Sequence, residues 1–402
     1  MTQHLTRRQF LRLTGAAAGA ALLGPACAPQ AAAPLATPVP AAEPTDTPDP
    51  TPLPAPVPTD TPVPAPSPTP APTKAPAPTP APTEAASPTT PATSVRRSDI
   101  VKIYPDAPSR VVRVRHAGVW KENARGGVKD NELLAPETIR QMLDAAIVKL
   151  TGLDDAQAAW AALFAPQERI AIKVNTIQGS YLWTHVPVAL AVAECLLGAG
   201  VPAEQIVIYD RYAIELKGAG YTITKDGPGA RCLGTDLAYT GGWKVMGVDV
   251  KLSDILLNSD ALINIPVLKQ HSMTGISFAL KNHYGTFDSP DRFHEGRARQ
   301  ALGELSSLQP IKERTRLTIG DVLAIAAGSW ASLVTGDSIL MSFDPVAHDT
   351  VGLQLYDDAM TAKGRNSTLA TKLATPWLQN AAALGLGTND PAHIELMEVS
   401  LE

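Results

Sequence analysis

Between residues 135 and 345, short apolar runs alternate with longer stretches in which apolar residues recur every three or four positions. The first pattern is that of strands buried on both faces, the second that of helices with one buried side. Arg169 to Val174 reads as a strand. Thr184 to Leu197 reads as a helix, with Thr184 near its N-cap, Pro187 in its first turn and Gly198 to Gly200 as its stop, and Gln205 to Tyr209 reads as the next strand. A preceding helix, Ala135 to Lys149, carries Ile139, Leu143, Ala146, Ile147 and Leu150 at the spacing of one buried face. Further strands are expected at Leu262 to Leu268, Leu317 to Ile319 and Ile339 to Met341. This alternation predicts an α/β fold, a largely parallel sheet flanked by helices.

Each predicted strand ends in polar residues. The first runs into Lys173 and Asn175, the second into Asp210, the third into Lys269 and His271, the fourth into Asp321 and the fifth into Asp344. Ligands of open α/β sheets bind outside the carboxyl ends of the strands, so these groups are expected to share one edge. Singly, an Asp or Asn there is a cap or turn residue. Lysines in the same row are harder to explain as structure, because a hydrated ammonium belongs on a solvent face.

The segment Leu262 to Gly285, LINIPVLKQHSMTGISFALKNHYG, is the densest of these regions. Lys269 and Lys281 flank the loop His271-Ser272-Met273-Thr274-Gly275, and two cations beside glycine backbone suit a phosphate or carboxylate. On this reading Lys269 and Lys281 hold an anionic small molecule, and His271, ranked ahead of His294 and His283, is the acid/base. Lys173, Asn175 and Asn282 orient the ligand, and Asp210, Asp321 and Asp349 accept a proton or hold a divalent metal. Asp349 also stands in the first turn of a helix expected after Asp344, where a carboxylate complements the helix dipole. No Walker loop, GxGxxG turn, GxSxG elbow or HExxH helix occurs. The glycines from Gly218 to Gly242 read as a long irregular insertion of the lid type.

The first residues change the picture of where this body works. Arg7 and Arg8 precede a short Ala/Gly/Leu run closed by Cys27, the pattern of a twin-arginine export signal over residues 1–27. Cys27 resembles the acceptor cysteine of a lipoprotein signal, although Gly24 and Pro25 depart from the usual residues before it. The alternative is ordinary cleavage near Ala26 or Ala28. Expected partners are therefore the twin-arginine machinery and, through a lipidated Cys27, a membrane, with the body on the extracytoplasmic side. Residues 28–95 are almost entirely Pro, Ala, Thr and Val, a composition that favours an extended polyproline stalk over a core. Residues 96–402 form the α/β body.

The chain of 402 residues has a net charge of −5, and its body shows no basic face of the kind that nucleic acid requires. Beyond Cys27 only Cys195 and Cys232 remain, and their spacing fits neither a zinc site nor an iron–sulfur cluster. Whether those two pair depends on a Cα approach that spacing does not fix.

The body resembles the bacterial and archaeal family catalogued as domain of unknown function 362. The resemblance rests on Ile170-Ala171-Ile172-Lys173-Val174-Asn175, Val207-Ile208-Tyr209-Asp210, Asn264 to His271, Leu280 to Gly285, Thr318 to Asp321 and Phe343 to Asp349, across most of residues 165 to 355. Val174 stands where the family often has proline, and His348 where it has a small or apolar residue. The resemblance implies a grouping of Lys173, Asn175, Asp210, Lys269, His271, Lys281, Asn282, Asp321 and Asp349, without an established reaction. Some members carry ferredoxin-like cysteine clusters. This chain lacks those cysteines, so an iron–sulfur cofactor does not carry over. Two function classes stay open at this point: an enzyme acting on an anionic small molecule, and a solute-binding or surface interaction module without chemistry.

Overall fold

A computed structural model describes residues 97–121, 131–177, 182–294, 296–329 and 332–402 of the chain. The export signal, Cys27 and the proline-rich stalk lie outside the described residues. The strands are β1 (Ser109–His116), β2 (Ile170–Lys173), β3 (Ile206–Asp210), β4 (Arg231–Gly234), β5 (Tyr239–Val245), β6 (Val248–Ser253), β7 (Ala261–Asn264), β8 (Val267–His271), β9 (Gly275–Ser277), β10 (Thr315–Ala326), β11 (Leu333–Ser342) and β12 (Ile394–Leu401). Among the described residues, ten of them form one sheet in the order β12-β1-β11-β10-β7-β2-β3-β4, with β8 beside β10 and β9 beside β8; β5 and β6 form a separate antiparallel pair. The pairings β12–β1, β10–β7, β7–β2, β2–β3 and β3–β4 are parallel. The sheet is largely parallel and flanked by helices, as the apolar spacing predicts.

Strand alternation sorts the core into two layers. Ile170 and Ile172 of β2, Ile206 and Ile208 of β3 and Ile263 of β7 pack on one face against the helices Pro136–Thr151, Ala156–Leu163 and Val186–Gly198. Ala171, Val207, Tyr209 and Leu262 face the other way, toward the helices Ala298–Ser307, Pro345–Ala362 and Thr368–Ala383. Side chains two apart on a strand share a face, so Lys173 belongs to this second layer. Parallel register sets it beside Tyr209 and Asn264. Burying one Ile or Leu of this alternation is worth about 1.5–3 kcal/mol, which fixes the register that also places the polar row. The helix Pro136–Thr151 buries Ile139, Leu143, Ala146, Ile147 and Leu150 as expected.

Several expectations are corrected. The apolar run Leu262 to Leu268 is not one strand: it breaks at Ile265-Pro266, where proline has no N–H for the ladder, and continues as β8 along the far half of β10. β10 does not stop before Asp321 but runs on to Ala326, so Asp321 is an interior residue. It shares the first-layer face with Leu317, Ile319 and Leu323, opposite the face of Lys173. β11 is antiparallel to both β1 and β10, so Asp344, just beyond its end, lies at the opposite edge from the other strand ends. There Asp344 caps the helix Pro345–Ala362 through Val346 N and Ala347 N, both 2.8 Å, and accepts from Ser109 Oγ at 2.6 Å. The glycine-rich stretch after Gly218 contains β4, an edge strand of the main sheet, and the start of the β5–β6 hairpin. Cys195 and Cys232 are both buried free thiols.

Candidate functional site

β2, β3, β8 and the short helix Ala279–Asn282 meet where Asp210, Lys173, Asn282, Asn175 and Lys269 are linked in one chain of hydrogen bonds. Lys173 Nζ donates to Asp210 Oδ1 at 2.6 Å, to Val174 O at 2.6 Å and, longer, to Asn282 Oδ1 at 3.4 Å. Asn175 Nδ2 donates to the same Asn282 oxygen at 3.0 Å, while its Oδ1 accepts from Lys269 Nζ at 2.6 Å. Asn282 is in turn fixed by Nδ2 donating to Asn264 Oδ1 at 2.7 Å. Lys173 is 1 % exposed and Asp210 4 %. Such a buried ion pair persists only when its remaining hydrogen-bonding capacity is filled.

Lys281 stands outside this chain. Its Nζ lies over the Tyr284 ring, 3.8 Å from the centroid, and among the described residues no carboxylate pairs with it. Tyr284 sits three residues on, the helical spacing that brings two side chains together, and its hydroxyl donates to Phe293 O at 3.1 Å. Its ring also meets His294 edge-on, 5.3 Å between centroids. Burial drives both Lys269 and Lys281 down to about 7, far below the ordinary lysine value.

The hydrogen bonds of the imidazoles nearby select a different tautomer of each neutral ring. Burial, reinforced by the charge of Lys281, drives His271 down to about 3 and also lowers His294. His271 Nδ1 accepts from Met273 N at 3.3 Å, which leaves the proton on Nε2. His294 Nδ1 lies 2.9 Å from Pro290 O, to which it can only donate, which leaves Nε2 as the acceptor. The two rings are 6.2 Å apart. The hairpin carrying His271 is held by Trp377 Nε1 donating to Thr274 O at 2.9 Å, and by Gly275 at φ +79°, whose Cα faces Ala370 O too closely for any side chain.

These groups open onto one cavity of about 310 Å³ lined by Lys173, Asn175, Asp210, Lys269, His271, Lys281 and Asn282, with Arg211, Tyr284, His294 and the carboxylates Glu215 and Asp291 also on its wall. The structure thus brings together seven of the residues expected from sequence. Asp321 and Asp349 are not among the lining residues. Arg211 directly follows the Asp210 motif and Tyr284 lies at helical spacing from Lys281, the two signals in the sequence that point to them. His283 is buried beside the cavity, driven by burial down to about 3, and its Nδ1 has no partner among the described residues.

The three aspartates do not fit a divalent ion. Asp210 already accepts from Lys173 Nζ, Thr176 N at 2.6 Å, Thr176 Oγ1 at 2.8 Å and Arg211 N at 2.7 Å, the whole capacity of a carboxylate. Asp321 takes His185 N and Nδ1, both at 2.8 Å, and Leu323 N at 3.2 Å. Asp349 takes Ala279 N at 2.7 Å and Leu280 N at 3.0 Å, capping the helix that presents Lys281. Each is spent separately on backbone and neighbours, and no group of three or more metal-ligating side chains occurs among the described residues. The buried His185–Asp321 pair joins residues 136 apart in sequence, and no local signal announces it.

No curated protein matches the sequence. Among solved structures, a protein from Thermotoga maritima is 16% identical, with a TM-score of 0.37, over 60% of this chain and 59% of that one. The lactate racemase apoprotein from Thermoanaerobacterium thermosaccharolyticum is 10% identical, with a TM-score of 0.29, over 50% of this chain and 51% of its own. The chain therefore spans about half to three fifths of the length of these structures. Residues 170–354, which contain β2, β3, β7, β8 and both site lysines, match the family model described as Domain of unknown function (DUF362), in support of the family resemblance carried by the same motifs.

Proposed function

We propose that the body binds a small anion, a carboxylate or phosphate, in the cavity between Lys269 and Lys281, with Asn175 and Asn282 placing Lys269 and with His271 as hydrogen-bond donor to the bound group. The observation that carries this reading is Lys281, a buried amine at the cavity wall with an aromatic ring beneath it and no carboxylate partner among the described residues. A buried cation without a counter-ion is costly, and a bound anion removes that cost. Lys173 is already neutralised by Asp210 and supports the wall. No divalent ion enters this reading: of the three aspartates only Asp210 lines the cavity, and its acceptor capacity is already filled. In the same reading residues 1–27 send the folded chain through the twin-arginine machinery, Cys27 carries the lipid anchor, and the stalk of residues 28–95 holds the body off the membrane.

Native mass spectrometry of the body, prepared without residues 1–95, tests the site. Phosphate, acetate and lactate are titrated against wild type, Lys269→Met and Lys281→Met. Retention of one anion per chain that each substitution weakens by about tenfold or more is the expected result. Equal retention by wild type and both variants rejects the site.

A further inference from the structure

The two site lysines are held in different ways. Lys269 Nζ is tied into the polar chain, donating to Asn175 Oδ1 at 2.6 Å and to Leu182 O at 3.2 Å, which fixes it as an anchored charge. Lys281 Nζ meets a ring face and makes no hydrogen bond among the described residues, so no donor occupies its nitrogen lone pair when the amine is unprotonated. The Tyr284 ring under this amine meets His294 edge-on at 5.3 Å, His294 lies 6.2 Å from His271, and all four side chains line the same cavity. Those imidazoles present opposite chemistry: a fixed N–H on His271 and a fixed lone pair on His294. An amine activated by desolvation, beside a base and a hydrogen-bond donor, is the arrangement of a covalent lysine.

We infer that Lys281 condenses with the carbonyl carbon of a small anionic carbonyl compound whose carboxylate or phosphate is held by Lys269, forming a Schiff base in the cavity. The inference rests on the anion-binding reading above. The Lys281 nitrogen attacks the carbonyl carbon, and the C=O bond becomes C–OH as His294 takes a proton from nitrogen and returns it to oxygen. The C–O bond then breaks, the second nitrogen proton leaves with the oxygen, and one water is released as the C=N bond forms. No oxidant or reductant is consumed. His271 donates its hydrogen bond to the departing oxygen. The iminium formed on protonation keeps the positive charge over the Tyr284 ring, where the ammonium lay. A cavity of about 310 Å³ accommodates an acid of a few carbons. Burial holds Lys281 near 7, so a large fraction of the amine is neutral at physiological pH.

The test treats the body with pyruvate and, separately, with dihydroxyacetone phosphate, each with sodium cyanoborohydride at neutral pH, and then maps the modified peptides. Calorimetry measures the binding of pyruvate, dihydroxyacetone phosphate and inorganic phosphate in parallel. One reduced adduct per chain, on Lys281 and formed about tenfold or more faster than on exposed lysines such as Lys121 and Lys217, is the expected outcome; which probe is trapped separates carboxylate from phosphate recognition. Lys281→Arg, which keeps the charge and removes the nucleophile, should abolish the adduct. Binding of the probes without trapping overturns the covalent role and leaves the anion site standing, whereas no binding of any probe overturns both. An adduct on Lys269 or spread over surface lysines overturns the assignment to Lys281. Wild-type peptide mapping decides these outcomes even where a variant fails to fold.

Discussion

The Lys281 ammonium lies 3.8 Å from the centre of the Tyr284 ring, so the ring face is the group that stabilises its charge inside a buried site. A desolvated cation–π contact is worth about 2 kcal/mol, which corresponds to somewhat more than one pKa unit. Removing the ring in Tyr284→Leu should therefore lower Lys281 below its value of about 7. Tyr284→Phe, which keeps the ring, should not. Competitive acylation across pH, read peptide by peptide, measures the midpoint; an unchanged midpoint in Tyr284→Leu would falsify the role of the ring.

Anion affinity should fall as pH rises through about 7. Lys269 and Lys281 are both held near that value by burial, and the anion binds the protonated forms. Binding is therefore strongest below pH 7, and above it each lysine that must be reprotonated weakens binding by up to about tenfold per pH unit. Titration at pH 8 in two buffers of different ionisation enthalpy should register uptake of more than one proton per anion. Zero uptake would mean that the lysines keep ordinary values or do not touch the ligand.

The same shift predicts that Lys281→Met stabilises the protein, most of all in mild acid. Below about pH 7 the folded chain carries a buried ammonium at full cost. Between about pH 7 and the ordinary lysine value the unfolded chain binds the extra proton, so native stability rises with pH across that window. Methionine fills similar volume without charge. Thermal melts of variant and wild type should differ by several degrees at pH 6, with the gap shrinking toward pH 10. A gap that widens with pH contradicts the assignment.

Gly285 leaves no room for a methyl group beside the Lys173–Asp210 pair. A Cβ there would lie 2.6 Å from Asp210 Oδ1 and 2.7 Å from Lys173 Nζ. Gly285→Ala should open the pair and, with it, the anchoring of Asn282. Asp210→Asn should act in the same direction, because it leaves a buried ammonium uncompensated at a cost of about 3–5 kcal/mol. Denaturant unfolding measures both variants, and a change under about 1 kcal/mol would mean that the pair is more hydrated than its burial indicates.

Asp344→Ala separates folding from binding. It removes an N-cap and leaves Ser109 Oγ and Thr388 N without their acceptor, at a cost of about 2 kcal/mol or more. Because β11 runs against its neighbours, this residue is at the far edge of the sheet and anion affinity should be unchanged in the fraction that folds. A matched loss of affinity would join the two edges mechanically.

The layers of the sheet were legible because period-two alternation in β2, β3 and β7 decides which residues are buried together. The convergence of Lys173, Asp210, Lys269, His271 and Lys281 was legible too, since parallel strands end at one edge. Strand direction was not: nothing local to Ile339-Leu340-Met341 says that β11 is reversed, since that depends on which strands it sits between. Nor does the local pattern at Asp321 distinguish a strand end from a strand interior, because its partner His185 is 136 residues away. The roles of the aspartates turn on which donors reach each carboxylate, a three-dimensional count. Tyr284 is the opposite case: three residues of helical spacing from Lys281 place it within reach.

Cys195 and Cys232 are buried as thiols, and burial pushes them up to about 12 and 11, so the reactive thiolate is scarce at either position. Among the described residues no disulfide cross-links the body. The described fold consequently closes through packing and hydrogen bonds, with no covalent checkpoint among the described residues.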